Sequence, residues 1–181
     1  MTLKKRSPFI IAHRGASVAA PENTLAAFRH AISAGADGIE LDVRLAADGV
    51  AVVIHDPDLK RTAGVGGRVS SYSSEELSKF DVGSWFTKKS TSLNGRFIDQ
   101  KLPLLKDVLA DIAAFPGFIY IELKCKKNDA ELLAKAVAEA VTAADTSGTI
   151  IIKSFRLAAI AHFRRRCPGI SRQDRIRARR G

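Results

Sequence analysis

The chain has 181 residues, 46% of them hydrophobic, which suffices for one sizeable core and is ordinary for a globular domain. Its formal net charge is +10, but in 164–181 eight arginines against the single acid Asp174 give +7, leaving only +3 for the rest. Two cysteines, Cys125 and Cys167, exclude a zinc ribbon and imply no structural disulfide. No transmembrane or secretory segment is visible, because the apolar stretch after Lys4-Lys5-Arg6 is too short, and a cytoplasmic location is expected.

A short apolar run over 8–12 predicts a first strand that ends in His13-Arg14-Gly15. Pro21-Glu22-Asn23-Thr24 follows, and 24–34 carries helical spacing, with Asn23 or Thr24 as its cap and Gly35 as its stop. The run 38–43 predicts a second strand, on which Glu40 and Asp42 share a face at i and i+2. Another strand over 50–54 leads into His55-Asp56. The gap between the two has no room for a crossover helix. Asp48-Gly49 is a hairpin signal, but a hairpin is expected to carry His55 to the end of the sheet opposite Asp42. A parallel, extended return is therefore predicted.

From 58 to 101 the pattern loosens into an excursion over the mouth of the sheet, with one short helix near 74–80. Gly64-Val65-Gly66-Gly67 lacks the Lys-Ser/Thr ending of a phosphate loop. Trp85 and Phe86 either wall a substrate pocket or pack the excursion down. Helices over 104–115, 129–144 (capped by Asp129) and 155–167 alternate with strands over 118–121 and 150–153, the former running into Glu122-Leu123-Lys124. Pro168-Gly169 stops the last helix. Ile170 should open a sixth strand, yet 171–181 is an arginine-rich tail, expected to be disordered. Such a tail could bind polyanions electrostatically; an interrupted ending that replaces further strand–helix units is the reading preferred, because a strand is missing as well as a tail added.

Alternating strands and helices predict an α/β fold with a parallel sheet, whose chemistry gathers at the carboxyl ends of the strands. Glu40, Asp42 and Glu122 are hard oxygen ligands suited to Mg²⁺ or Ca²⁺. Glu40 and Glu122 sit inside apolar runs, where an unpaired charge is costly and a cation would remove the cost. His13 and His55 have an intrinsic pKa of about 6.5, right for proton exchange near neutrality. Arg14 can hold a phosphate oxygen. His30 and His162 read as helix-surface residues, and Asp37, Asp48, Asp56 and Asp58 as caps or loop carboxylates.

The succession His-Arg-Gly, Pro-Glu-Asn-Thr, Glu-Leu-Asp-Val, Val-Ile-His-Asp and Glu-Leu-Lys, from about Phe9 to Phe155, resembles the glycerophosphodiester phosphodiesterase family. The resemblance implies a TIM (β/α)8 barrel of the PLC-like phosphodiesterase type, here incomplete at about five strand–helix units, within a domain over 8–170. It implies hydrolysis of small glycerophosphodiesters to glycerol 3-phosphate and an alcohol with one divalent cation, Ca²⁺ or Mg²⁺. By the same resemblance His13 and His55 form the acid/base pair, and Glu40, Asp42 and Glu122 hold the metal. Arg14 and Lys124 lie near the substrate phosphate, while Glu22 and Asn23 support the site. No specific nucleic-acid partner is implied. An unclosed sheet would favour self-association, and the competing reading is a catalytically silent fragment whose tail binds polyanions.

Overall fold

The computed structural model describes residues 8–87 and 97–170, so the predicted tail over 171–181 lies outside the described residues. In chain order the elements are β1 (Ile11–His13), α1 (Leu25–Ser33), β2 (Gly38–Leu45), β3 (Ala51–Val53), α2 (Lys60–Ala63), α3 (Ser74–Leu77) and α4 (Ser84–Thr87). There follow α5 (Leu105–Asp111), β4 (Phe118–Leu123), α6 (Ala130–Ala143), β5 (Thr149–Lys153) and α7 (Leu157–Arg166). One five-stranded sheet runs β1-β2-β4-β5, with β3 paired to β2. β1, β2, β4 and β5 are mutually parallel, in the α/β progression of an incomplete TIM barrel.

The two-residue period of a strand divides the side chains between two faces. Ile39, Leu41 and Val43 of β2, Ile119, Ile121 and Leu123 of β4, and Ile150 and Ile152 of β5 are buried in one core with Leu105, Val108 and Leu109 of α5. α6 adds Leu133, Val137 and Val141, one residue per turn along a stripe, and α7 adds Ile160 and Phe163. Each such fully buried aliphatic side chain stabilises the fold by roughly 1.5–3 kcal/mol relative to exposure. The alternate positions, Glu40, Asp42, Glu122 and Lys153, are thereby turned to the other face, the barrel interior.

Thr24 caps α1 as expected: its hydroxyl accepts from the Ala27 N–H at 3.2 Å. Asp129, by contrast, makes no side-chain cap to α6 and ends a short 3₁₀ turn over Lys127–Asp129 that leads into the helix. Phe86 joins Ala20, Ala27 and Phe97 in a small cluster, so it packs the excursion onto the strand–helix layer. Trp85 donates its indole N–H to the Val82 carbonyl at 2.8 Å and lies under the Arg61 guanidinium. A separate core of Val52, Ile54, Leu59, Val69, Leu77, Val82 and Leu102 underpins the excursion. Cys125 and Cys167 are both free thiols.

A second prediction is overturned as well. β3 does not return parallel: it pairs antiparallel with β2, Val43 opposite Val53 and Leu45 opposite Ala51. The error lay in ending β2 at Val43. The strand continues to Leu45, past the mouth of the sheet, and turns where Gly49 adopts a positive φ of 81°. Because the turn lies beyond the mouth, the returning chain arrives back at the level of Asp42, whose carbonyl accepts from the Ile54 N–H at 3.0 Å. His55 follows at once, so the hairpin delivers it to the functional end after all.

Candidate active site

β1 stops at His13 because the next two residues leave the strand conformation in the same direction: Arg14 has φ 60° and Gly15 φ 77°. A Cβ on Gly15 would stand 2.7 Å from the Ala27 backbone, so close approach and positive φ both require glycine there. The turn aims the Arg14 N–H at Glu40 Oε2, 3.0 Å away. It also sets the Arg14 guanidinium between Glu22 Oε1 (3.0 Å) and Asp42 Oδ2 (3.2 Å). Asn23, itself at φ 57°, is buried and bonds Asp42 twice, donating from Nδ2 to Oδ2 at 3.0 Å and accepting the Asp42 N–H on Oδ1 at 3.2 Å.

Parallel register places Asp42 beside Glu122, and Glu122 beside Lys153. Glu40, Asp42 and Glu122 are at most 5% exposed, and one carboxylate oxygen from each lies within 4.8 Å of the others. Glu40 Oε1, Asp42 Oδ1 and Glu122 Oε1 have no hydrogen-bond donor aligned on them. Each faces an ammonium instead. Lys124 Nζ is 3.3 Å from Asp42 Oδ1 and 2.6 Å from Glu122 Oε1. Lys153 Nζ is 2.7 Å from Glu40 Oε1 and 3.0 Å from Glu122 Oε2. Three buried carboxylates that converge one oxygen each are the donor set a hard divalent cation takes, so these residues fit one.

His13 borders this cluster, and His55 follows the residue whose N–H bonds the Asp42 carbonyl. His13 Nε2 is 3.8 Å from Glu40 Oε2, on a side chain 65% exposed. His55 Nδ1 is 2.7 Å from Asp56 Oδ1, and the Arg44 Nε–H holds the His55 carbonyl at 2.7 Å. Asp56 in turn accepts from Arg61 Nε at 2.6 Å, and Arg61 forks onto both oxygens of Glu22 at 2.9 and 2.7 Å. One chain of ion pairs therefore runs from Arg14 through Glu22 and Arg61 to Asp56, which a hydrogen bond joins to His55.

Electrostatics follow from these contacts. Burial works against charge on Glu22, but the Arg61 and Arg14 guanidiniums outweigh it and hold the carboxyl below its usual range. Burial opposes the charge on Asp56 too, and Arg61 and His55 outweigh it in the same way. Glu122 is likewise lowered, burial being overcome by Lys124 and Lys153. Burial would pull Lys153 down, yet Glu40 and Glu122 raise it.

All nine residues singled out in the sequence, His13, Arg14, Glu22, Asn23, Glu40, Asp42, His55, Glu122 and Lys124, fall into this one connected arrangement. Three more belong to it and were not singled out. Asp56 reads as a loop carboxylate in the sequence but touches the His55 ring. Arg61 lies in the excursion and joins the site only through tertiary packing. Lys153 had a readable signal, a charge closing an apolar strand run as Glu122 and Lys124 do.

Comparison with known proteins agrees with this architecture. The family model described as glycerophosphoryl diester phosphodiesterase matches residues 13–175. A glycerophosphodiester phosphodiesterase of Bacillus altitudinis is 36% identical over 162 residues, covering 89% of this chain and 63% of the relative. An uncharacterised Bacillus subtilis protein, YqiK, is 39% identical over 163 residues, covering 90% and 64% respectively. Among solved structures, an Oleispira antarctica phosphodiesterase in complex with the product sn-glycerol-3-phosphate superimposes with a TM-score of 0.80 at 29% identity, over 90% of this chain and 63% of that one. The chain thus spans less than two thirds of the length of these relatives. With the match running through nearly all of its length, the chain belongs to the glycerophosphoryl diester phosphodiesterase family.

Proposed function

We propose that the chain hydrolyses glycerophosphodiesters to glycerol 3-phosphate and an alcohol, with a divalent cation held by Glu40, Asp42 and Glu122. The observation that carries this reading is the trio of buried carboxylates with one oxygen of each within 4.8 Å of the others, bordered by His13, Arg14 and Lys124. A bound Ca²⁺ or Mg²⁺ would supply Lewis-acid polarisation of the phosphodiester and offset its developing charge. Arg14 and Lys124, fixed by Asp42, add positive charge toward the phosphate without having to reorganise.

The two histidines divide the proton transfers. Asp56, kept ionised by Arg61, can only accept hydrogen bonds, so His55 carries its proton on Nδ1 and leaves Nε2 free as a base. His55 therefore takes the proton of the nucleophile, either water or the adjacent glycerol hydroxyl. His13, beside Glu40, returns a proton to the leaving alkoxide. Among the described residues no helix is long and apolar enough to cross a membrane; a cytoplasmic address is part of the proposal.

The test is release of glycerol 3-phosphate from glycerophosphocholine and glycerophosphoethanolamine, with Ca²⁺, Mg²⁺ or chelator. Turnover that needs a metal and disappears in His13→Ala and Glu40→Ala supports the proposal. Turnover that persists in chelator, or none from a chain shown folded by circular dichroism, overturns it.

A further inference from the structure

Beside the carboxylate cluster lies a second concavity, of about 620 Å³, between the β2–β3 hairpin, the turn at Arg68-Val69-Ser70 and the segment after β4. This volume falls within the range of small-molecule sites. Arg44, Arg68, Lys126 and Lys127 line it, brought together from three separate stretches of chain, against one acid, Asp129. None of these four cations forms an ion pair among the described residues, whereas Lys124, which also lines the cavity, is held by Asp42 and Glu122.

Arg44 is the informative member. It follows Asp42 by two residues on β2, so it shares the strand face of the carboxylates. It is only partly exposed and meets backbone carbonyls alone, that of His55 at 2.7 Å and that of Lys124 at 3.5 Å. Two guanidiniums and two lysines around one hollow, with Asp129 the one acid in its lining, form a focused field of net positive sign.

We infer that this cavity is an anion-binding site, distinct from the carboxylate cluster, for the phosphate group of a small molecule. Guanidinium forks match phosphate oxygens in pairs, and the two lysines supply mobile point charges at the rim. The phosphate could be free or carried on an organic body; the cavity's size leaves room for the latter. The site is independent of whether the chain turns over a diester. Arg44 nevertheless joins it to the His55 carbonyl, so its occupant sits one side chain from the proposed base.

Calorimetric titration of the whole chain in chelator, at low salt, tests this with orthophosphate and glucose 6-phosphate as probes. The comparison is between the parent chain, Arg68→Gln/Lys127→Gln, and Lys106→Gln, which removes a charge that does not line the cavity. Saturable binding, weakened about tenfold or more in the double variant and unchanged in Lys106→Gln, is expected. Equal affinity for the two probes identifies a free phosphate site, and tenfold tighter glucose 6-phosphate binding identifies an organic phosphate site. Both Arg68 and Lys127 are exposed and unpaired, so the variant should fold, and its melting temperature at low salt should rise by relief of repulsion. No saturable binding to the parent chain, or equal loss in Lys106→Gln, overturns the inference.

Discussion

Replacing Asn23 by alanine removes two hydrogen bonds and leaves a Cβ residue in a conformation alanine disfavours. The lost bonds are those to the Asp42 carboxylate and from the Asp42 N–H, on a side chain that is 3% exposed. A hydrogen bond to a charged group is worth about 1.5–3 kcal/mol and a neutral one about 0.5–1.5. Holding alanine at φ 57° adds about 1–2 kcal/mol. Allowing for the coupling between the two bonds, about 3–5 kcal/mol of stability should be lost, near the upper limit for a single substitution. Asn23→Gly keeps the backbone unstrained and should recover about 1 kcal/mol of it. Urea denaturation of both variants in chelator, followed by circular dichroism, measures the difference. A loss under 1 kcal/mol in Asn23→Ala, or a glycine variant no better than alanine, would refute the idea that Asn23 holds Asp42 in place.

Lys153→Met should tighten Mn²⁺ binding by about tenfold or more, since the ammonium on Glu40 and Glu122 competes with a divalent ion; unchanged affinity by electron paramagnetic resonance would sink that view. Asp56→Asn should lower kcat/KM by about tenfold or more while leaving Mn²⁺ affinity alone, because it disturbs the His55 tautomer and not the carboxylates; loss of both together would contradict the assignment. Burial opposes charge on Asp81, but the Ser84 hydroxyl and the Gly83, Ser84 and Asp99 amides outweigh it and bring the carboxyl down to about 2. A depressed folded-state value means stability present above the unfolded value near 3.8 and lost as pH falls toward 2. After discounting for screening, Asp81→Ala should cost about 1–2 kcal/mol at pH 7 and progressively less from pH 4 downward, and a penalty constant with pH would be inconsistent with this.

The carboxylate trio was legible because each member interrupts an apolar strand run, and a buried charge there needs an explanation that strand periodicity itself suggests. His13 and His55 were legible as strand ends. The hairpin was misread for a geometric reason: the run was ended at Val43, whereas Arg44 and Leu45 still pair with β3. Arg44 looked like the first residue of a loop, although its carbonyl partners keep a strand residue in place past the mouth. Asp56 was undervalued because neighbours in an extended chain ordinarily point apart, and only the bend after β3 lets its carboxylate reach the adjacent imidazole. Arg61 carries no local pattern at all. Its position depends on α2 folding back onto Glu22, 39 residues earlier.

That fold-back has a practical consequence for anyone rebuilding the protein. α2 ends at Ala63, and Gly64 takes a positive φ with open space around its α-carbon. The chain is therefore divided at this glycine into a stretch that clamps both histidine flanks through one guanidinium and a stretch that does not. A chimera exchanging the excursion for another should be spliced after Gly64: cut there, the recipient keeps its alignment of Glu22 with Asp56, and cut before Arg61, it inherits both histidines without the strut between them.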